Sequence, residues 1–246
     1  MKIADVQAFP IEFPLDVPAH DATGTWSSWN TVIVKITSDQ STFGWGEIGP
    51  LHGGGTQIFK AIVDHKLKAM LIGENPFNRE KIYEKLLGQG TSSYALGQKG
   101  AIVTAVAGID IALWDLVGKA LKTPVYQLLG GCCHEKISAY ASGFFGKDGR
   151  PLTPLECADE AKIYADQGFK GVKMKVGFGH KQDLLNLEAV RTAMGPDLGI
   201  MVDANQGFCY HDVMKIAADM KQFDLTFIEE PIPINDLDGM ASLVSN

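Results

Sequence analysis

The chain has 246 residues, 46% of them hydrophobic and 21% charged, with a net charge of −7. That balance fits a soluble globular protein of one large domain or two ordinary ones, and the acidic excess, with no basic run, argues against nucleic-acid binding. The opening Met-Lys-Ile-Ala-Asp-Val lacks signal-peptide architecture, Asp110 interrupts the longest apolar run, and the four cysteines show no metal or disulfide spacing; a cytoplasmic protein without a membrane partner is expected.

Residues 2–13, 31–37 and 42–47 read as strands of an antiparallel meander, being apolar, β-branched and separated by the turn residues Ser38-Asp-Gln-Ser41. Pro14 to Asn30 and Gly49 to Thr56 read as long irregular segments carrying His20, Trp26, Trp29 and His52. Long loops in compact domains tend to be functional, so His20, Trp26 and His52 are candidate substrate contacts on lids; ordinary burial of the tryptophans is the competing reading. Helical spacing follows over 58–71, up to Leu87 and over 100–121, the last strongly apolar.

Beyond residue 130 the pattern becomes repetitive. Strands at 136–142, 171–176, 199–203 and 225–229 alternate with helices at 155–167, 183–194, 212–223 and 236–244. Lys173, Asp203 and Glu229 recur at intervals of roughly 30 residues, the size of a βα unit, which predicts a parallel sheet or barrel. Ligands of such sheets sit at the carboxyl ends of the strands, where these residues fall. Side chains two apart on a strand share a face, so Lys173 pairs with Lys175 and Asp203 with Asn205. Converging carboxylates repel unless a cation bridges them, and hard oxygen ligands suit Mg²⁺. Taken singly, the Lys-x-Lys is a solvated face, Glu-Glu-Pro a strand end and Asp-x-Asn a turn; their joint order and spacing carry the reading.

Gly171-Val-Lys-Met-Lys-Val-Gly177, Val202-Asp-Ala-Asn-Gln206 and Ile228-Glu-Glu-Pro-Ile232 resemble the mandelate racemase and muconate lactonizing branch of the enolase superfamily. Gly44-Trp-Gly-Glu47, Ala112-Leu-Trp-Asp-Leu116 and Leu128-Leu-Gly-Gly131 extend the resemblance into the first half. It implies an α/β protein: an α+β capping domain over 1–130, then the first part of a (β/α)7β TIM-type barrel over 131–246. It also implies Lys175 as the base that takes a proton alpha to a substrate carboxylate, with Lys173 as its electrostatic partner. Asp203 and Glu229, rather than Glu230, become Mg²⁺ ligands, and Asn205 a substrate contact.

Within that resemblance an acid-sugar dehydratase is the leading expectation, because the polar Asn205-Gln206 rim and the loops carrying His and Trp suit a hydroxylated substrate. A racemase, epimerase or cycloisomerase comes next, and a non-catalytic half-barrel subunit is the reading from another class. A whole barrel needs roughly 250 residues, and fewer than half of these follow residue 130. The third metal carboxylate and the later acid/base residues are therefore expected beyond residue 246. This chain alone is expected to be inactive, and the full-length protein to be a homo-oligomer.

Overall fold

The computed structural model describes residues 1–52, 54–87 and 99–245, except for the side chains of 50–52. It divides into two compact units. One comprises Met1–Pro14 and Ser28–Glu135, the other Leu15–Ser27 and Lys136–Asn246.

The first unit is built on an antiparallel meander of β1 (Ile3–Asp21), β2 (Gly24–Ser38) and β3 (Phe43–His52). In β2, Val32, Val34 and Ile36 are fully buried, and the residues between them are partly exposed, as a one-sided sheet requires. Helix α1 (Thr56–Ile62) continues through a π-helical turn (Val63–Leu67) into α2 (Lys68–Leu71), and α3 (Arg79–Leu87) follows. Helix α4 (Ala101–Leu121) lies on the sheet, and α5 (Val125–Leu128) comes after it. Helix α4 is long and apolar enough to cross a bilayer, but it buries Ile102, Ile109, Leu113 and Leu116 in the core of this unit.

Two glycines allow the close packing of α4. A Cβ on Gly44 would lie 2.1 Å from the Ala112 carbonyl oxygen, and one on Gly46 2.0 Å from that of Gly108. Between them, the Trp45 N–H donates to Asp115 Oδ2 at 2.8 Å. Asp110, also on α4, pairs with Arg79 at the start of α3, 2.7 Å away.

The structure corrects the expectation of a loop over Pro14 to Asn30. Strands β1 and β2 run on into a long hairpin that turns at Ala22-Thr23, where Asp21 Oδ1 accepts from Thr23 N–H at 2.8 Å and from its hydroxyl at 2.6 Å. The prolines misled because a proline cannot donate to a sheet ladder. However, the Pro18 carbonyl accepts from Asp148 N–H, so Pro18 faces the β1 edge away from β2. Pro10 and Pro14 share its parity, and edge positions tolerate proline. Strand β3 likewise runs through His52, into the segment expected to be irregular.

The second unit holds a four-stranded sheet in the order β4-β6-β7-β8, formed by Ala141–Ser142, Gly171–Lys175, Gly199–Asp203 and Leu225–Glu229, with every pairing parallel. The expected strand over 136–142 shrinks to two residues, since β4 pairs with β6 only through Ala141 and Ser142; Ile137 upstream is 83% exposed. Helices α6 (Pro154–Asp166), α7 (His180–Met194), α8 (Tyr210–Met220) and α9 (Leu237–Ser245) alternate with the strands. Thr153 and Glu156 start α6 with a capping box, and Pro154 occupies its first turn. Val172, Met174, Ile200 and Val202 of the central strands are fully buried, as in strands covered on both faces, whereas Phe227 of β8 is 38% exposed. Short strand β5 (Gly146–Lys147) pairs with Ala19 and His20 of the hairpin tip. All four cysteines are free thiols.

Candidate active site

Parallel register sets the site. Lys175 stands opposite Asp203, and Asp203 opposite Glu229, at the last residues of three neighbouring strands. Their side chains converge with that of Lys173. Asp203 Oδ2 accepts from Lys175 Nζ at 2.8 Å and from Lys173 Nζ at 3.3 Å, and Glu229 Oε2 accepts from Lys173 Nζ at 2.7 Å. Lys175 and Asp203 are buried, at 8% and 3% exposure. Asp203 Oδ1 also accepts the Asn205 backbone N–H at 2.9 Å.

The charges compensate. Burial would raise the Asp203 pKa, but the Lys175 hydrogen bond, the Asn205 N–H and both ammonium charges hold it below the usual value. Burial would likewise lower the Lys173 pKa, yet its hydrogen bond to Glu229 and the nearby carboxylates push it up. The carboxylates, rather than the neighbouring ammonium group, therefore dominate the environment of Lys173.

Asn205 sits at φ 45° with its side-chain Oδ1 buried and without a hydrogen-bond partner. A buried bare acceptor beside two converging carboxylates suits a cation or a ligand's donor. Among the described residues no cluster of three His, Cys, Asp or Glu could hold a metal. Asp203 and Glu229 thus fit a hard divalent ion as two of its ligands. Glu230 diverges: at φ 42° it lines an apolar groove between α8 and α9.

The remaining expected contacts divide. His20 Nδ1 lies 2.9 Å from Thr25 Oγ1, and the ring stacks on Phe178 at 5.5 Å. Trp26 is buried at 6% exposure, edge-on to Phe145 at 5.8 Å. The hairpin tip seats closely on the loops after β6 and β7, because a Cβ on Gly177 or Gly207 would lie 2.9 or 2.6 Å from Ala22 Cβ. His52 ends β3, and its side chain lies outside the described residues.

Two residues escaped the sequence reading. Phe145 presents its ring to Lys175 Nζ, 4.8 Å from the centroid. Asp183, 1% exposed in the first turn of α7, accepts from Gly177 N–H at 3.1 Å and Phe178 N–H at 3.3 Å, and burial pushes its pKa up to about 6. Asp183 had a sequence signal, an acid just inside a predicted helix start; Phe145 had none.

Residues 3–130 match the N-terminal domain of the mandelate racemase / muconate lactonizing enzyme family, and residues 156–246 match the enolase C-terminal domain-like family. The chain belongs to the mandelate racemase / muconate lactonizing enzyme family. It is 36% identical to D-galactarolactone cycloisomerase of Agrobacterium fabrum, over 98% of this chain and 61% of the relative. It is 33% identical to N-succinyl-L-Arg/Lys racemase of Bacillus cereus, over 100% and 63% respectively. A solved structure of an L-talarate/galactarate dehydratase variant, liganded with Mg and L-glucarate, superposes with a TM-score of 0.88 at 30% identity, over 99% of this chain and 61% of that one. The chain thus spans about three fifths of the length of these relatives. Lyases, racemases and cycloisomerases all stand among its enolase-superfamily neighbours.

Proposed function

We propose that this chain carries the proton-abstracting part of a Mg²⁺-dependent enzyme acting alpha to a carboxylate, with an acid sugar as substrate and elimination of water as the overall reaction. The observation that carries this reading is the level register of Lys175, Asp203 and Glu229 at the carboxyl ends of β6, β7 and β8.

Lys175 Nζ, held at the buried end of β6, takes the α-proton when uncharged. Lys173 stays an ammonium group, supported by Glu229 and Asp203, and donates toward the oxygen on which charge develops. Asp203 and Glu229 would hold the Mg²⁺ ion, which when bound would supply positive charge to offset the negative charge that develops on the substrate carboxylate. Asn205 Oδ1 offers an acceptor to a substrate hydroxyl. The hairpin tip, through His20 and Trp26, screens the site from water.

Racemisation and cycloisomerisation begin with the same proton transfer, and the 36% identity to a cycloisomerase favours that second reading. Incubating the full-length protein with Mg²⁺ and a panel of acid sugars in D₂O tests the first step directly, with this chain alone as the control expected to be inert. Recovered substrate should carry deuterium at the α-carbon, and the 2-keto product of water loss should carry it at the adjacent carbon; both should vanish in Lys175→Met. Exchange without water loss supports racemase or cycloisomerase chemistry. Exchange that persists in Lys175→Met overturns the assignment of the base.

A further inference from the structure

Lys175 reaches its partner Asp203 from one side and meets an aromatic ring on the other. That ring belongs to Phe145, between β4 and β5, and its centroid lies 4.8 Å from Lys175 Nζ. The placement of Phe145 is built rather than incidental. Its predecessor Phe144 sits at φ 60°, its N–H donating to Glu160 Oε1 at 2.7 Å and its 2%-exposed ring packed against Tyr164 at 5.7 Å. The Gly143 N–H donates to the Lys173 carbonyl at 3.2 Å, tying the same segment to β6. Trp26 of the hairpin tip then meets Phe145 edge-on, with the ring planes at 84°.

We infer that Phe145 is a positioning residue for Lys175, a rigid aromatic wall that holds the ammonium group toward Asp203 and links it to the hairpin tip through Trp26. An ammonium group is attracted to the face of an aromatic ring within about 6 Å of its centroid. A lysine side chain has four rotatable carbons and loses much freedom when fixed. Asp203 supplies one anchor for Nζ, and the ring restricts the remaining directions. The inference deepens the reading of Lys175 as the base, but it is tested without turnover.

The test is NMR on the full chain, with the Lys175 Cε methylene identified by its disappearance in Lys175→Arg. In the wild type its protons should resonate upfield of the other lysines, shifted by the ring current, and its carbon relaxation should be that of an ordered side chain. Phe145→Leu should abolish the upfield shift and bring the relaxation to that of a surface lysine, whereas Phe145→Tyr should restore both. Phe144→Leu, which removes a buried ring packed against Tyr164, should lower the melting temperature and leave the Lys175 signals in place. An unshifted Lys175 in the wild type, or an ordered one in Phe145→Leu, overturns the proposal. With an active substrate in hand, Phe145→Leu should lower kcat about tenfold with KM within twofold, and Phe145→Tyr should recover most of it. If no substrate is turned over but the NMR result holds, the catalytic reading fails and the positioning contact stands.

Discussion

Lys175 and Asp203 stand level on adjacent parallel strands, and their charged ends meet at 2.8 Å with almost no solvent between them and the core. A buried ion pair of this kind is costly to break from one side, because the remaining charge keeps its desolvation penalty. Lys175→Met should therefore destabilise the protein by about 3 kcal/mol, less if Lys173 moves closer to Asp203. Combining it with Asp203→Leu should recover part of that loss. Urea denaturation of the two single variants and the double variant checks this; additive losses would contradict the pairing.

On the proposed reading, the carboxylate oxygens that accept from the lysines are those a cation would take. Asp203→Asn and Glu229→Gln should each weaken Mg²⁺ binding by at least about tenfold, on the scale of one charge-assisted contact. Lys173→Met should strengthen it by about the same factor, since it removes both a competitor for those oxygens and a like charge. Calorimetric titration with MgCl₂ gives all three values, and tighter binding by Asp203→Asn would exclude it as a ligand.

Asp183 gives a pH signature. Its folded-state pKa is raised from 3.8 to about 6, first by burial, against opposing hydrogen bonds from Gly177, Phe178 and Gly179. The folded state therefore binds this proton more tightly than the unfolded state. Its stabilising share is fully present below about pH 4 and is lost as pH rises through about 6. The wild type minus Asp183→Asn stability difference should fall by about 2 kcal/mol from pH 4 to pH 7, measured by denaturation at each pH. A difference independent of pH would refute the assignment.

Gly44 and Gly46 let β3 touch the backbone of α4. Gly46→Ala would force a methyl group against the Gly108 carbonyl, and overpacking of this kind costs about 1–3 kcal/mol or more. A lowered melting temperature with the site residues undisturbed is the expected result; unchanged stability would mean that the helix can retreat freely.

The charged ends of β6, β7 and β8 were legible in the sequence because alternation and βα spacing are local signals, and the parallel register follows from repeating them. The site contacts of the hairpin were less legible. Pro10, Pro14 and Pro18 make β1 look like a loop until the sheet shows which edge lacks its donors. The strand expected over 136–142 shortens to Ala141 and Ser142, because Ile137 and its neighbours have strand composition but pair with no strand among the described residues. Phe145 and Asp183 act across tertiary contacts, with Lys175 in one case and Gly177 and Phe178 in the other, and no periodicity encodes those.

The seating of Ala22 between Gly177 and Gly207 has a temporal consequence. During synthesis the hairpin tip leaves the ribosome long before Gly207, which completes the notch that receives it. Domains generally form as units as the chain emerges, but the second unit is discontinuous, and contacts this distant in sequence form late. Until then Trp26 and its neighbours wait without their final partners, a long exposure for apolar side chains. A fragment beginning at Lys136 would lack the Leu15–Ser27 segment that belongs to its own unit.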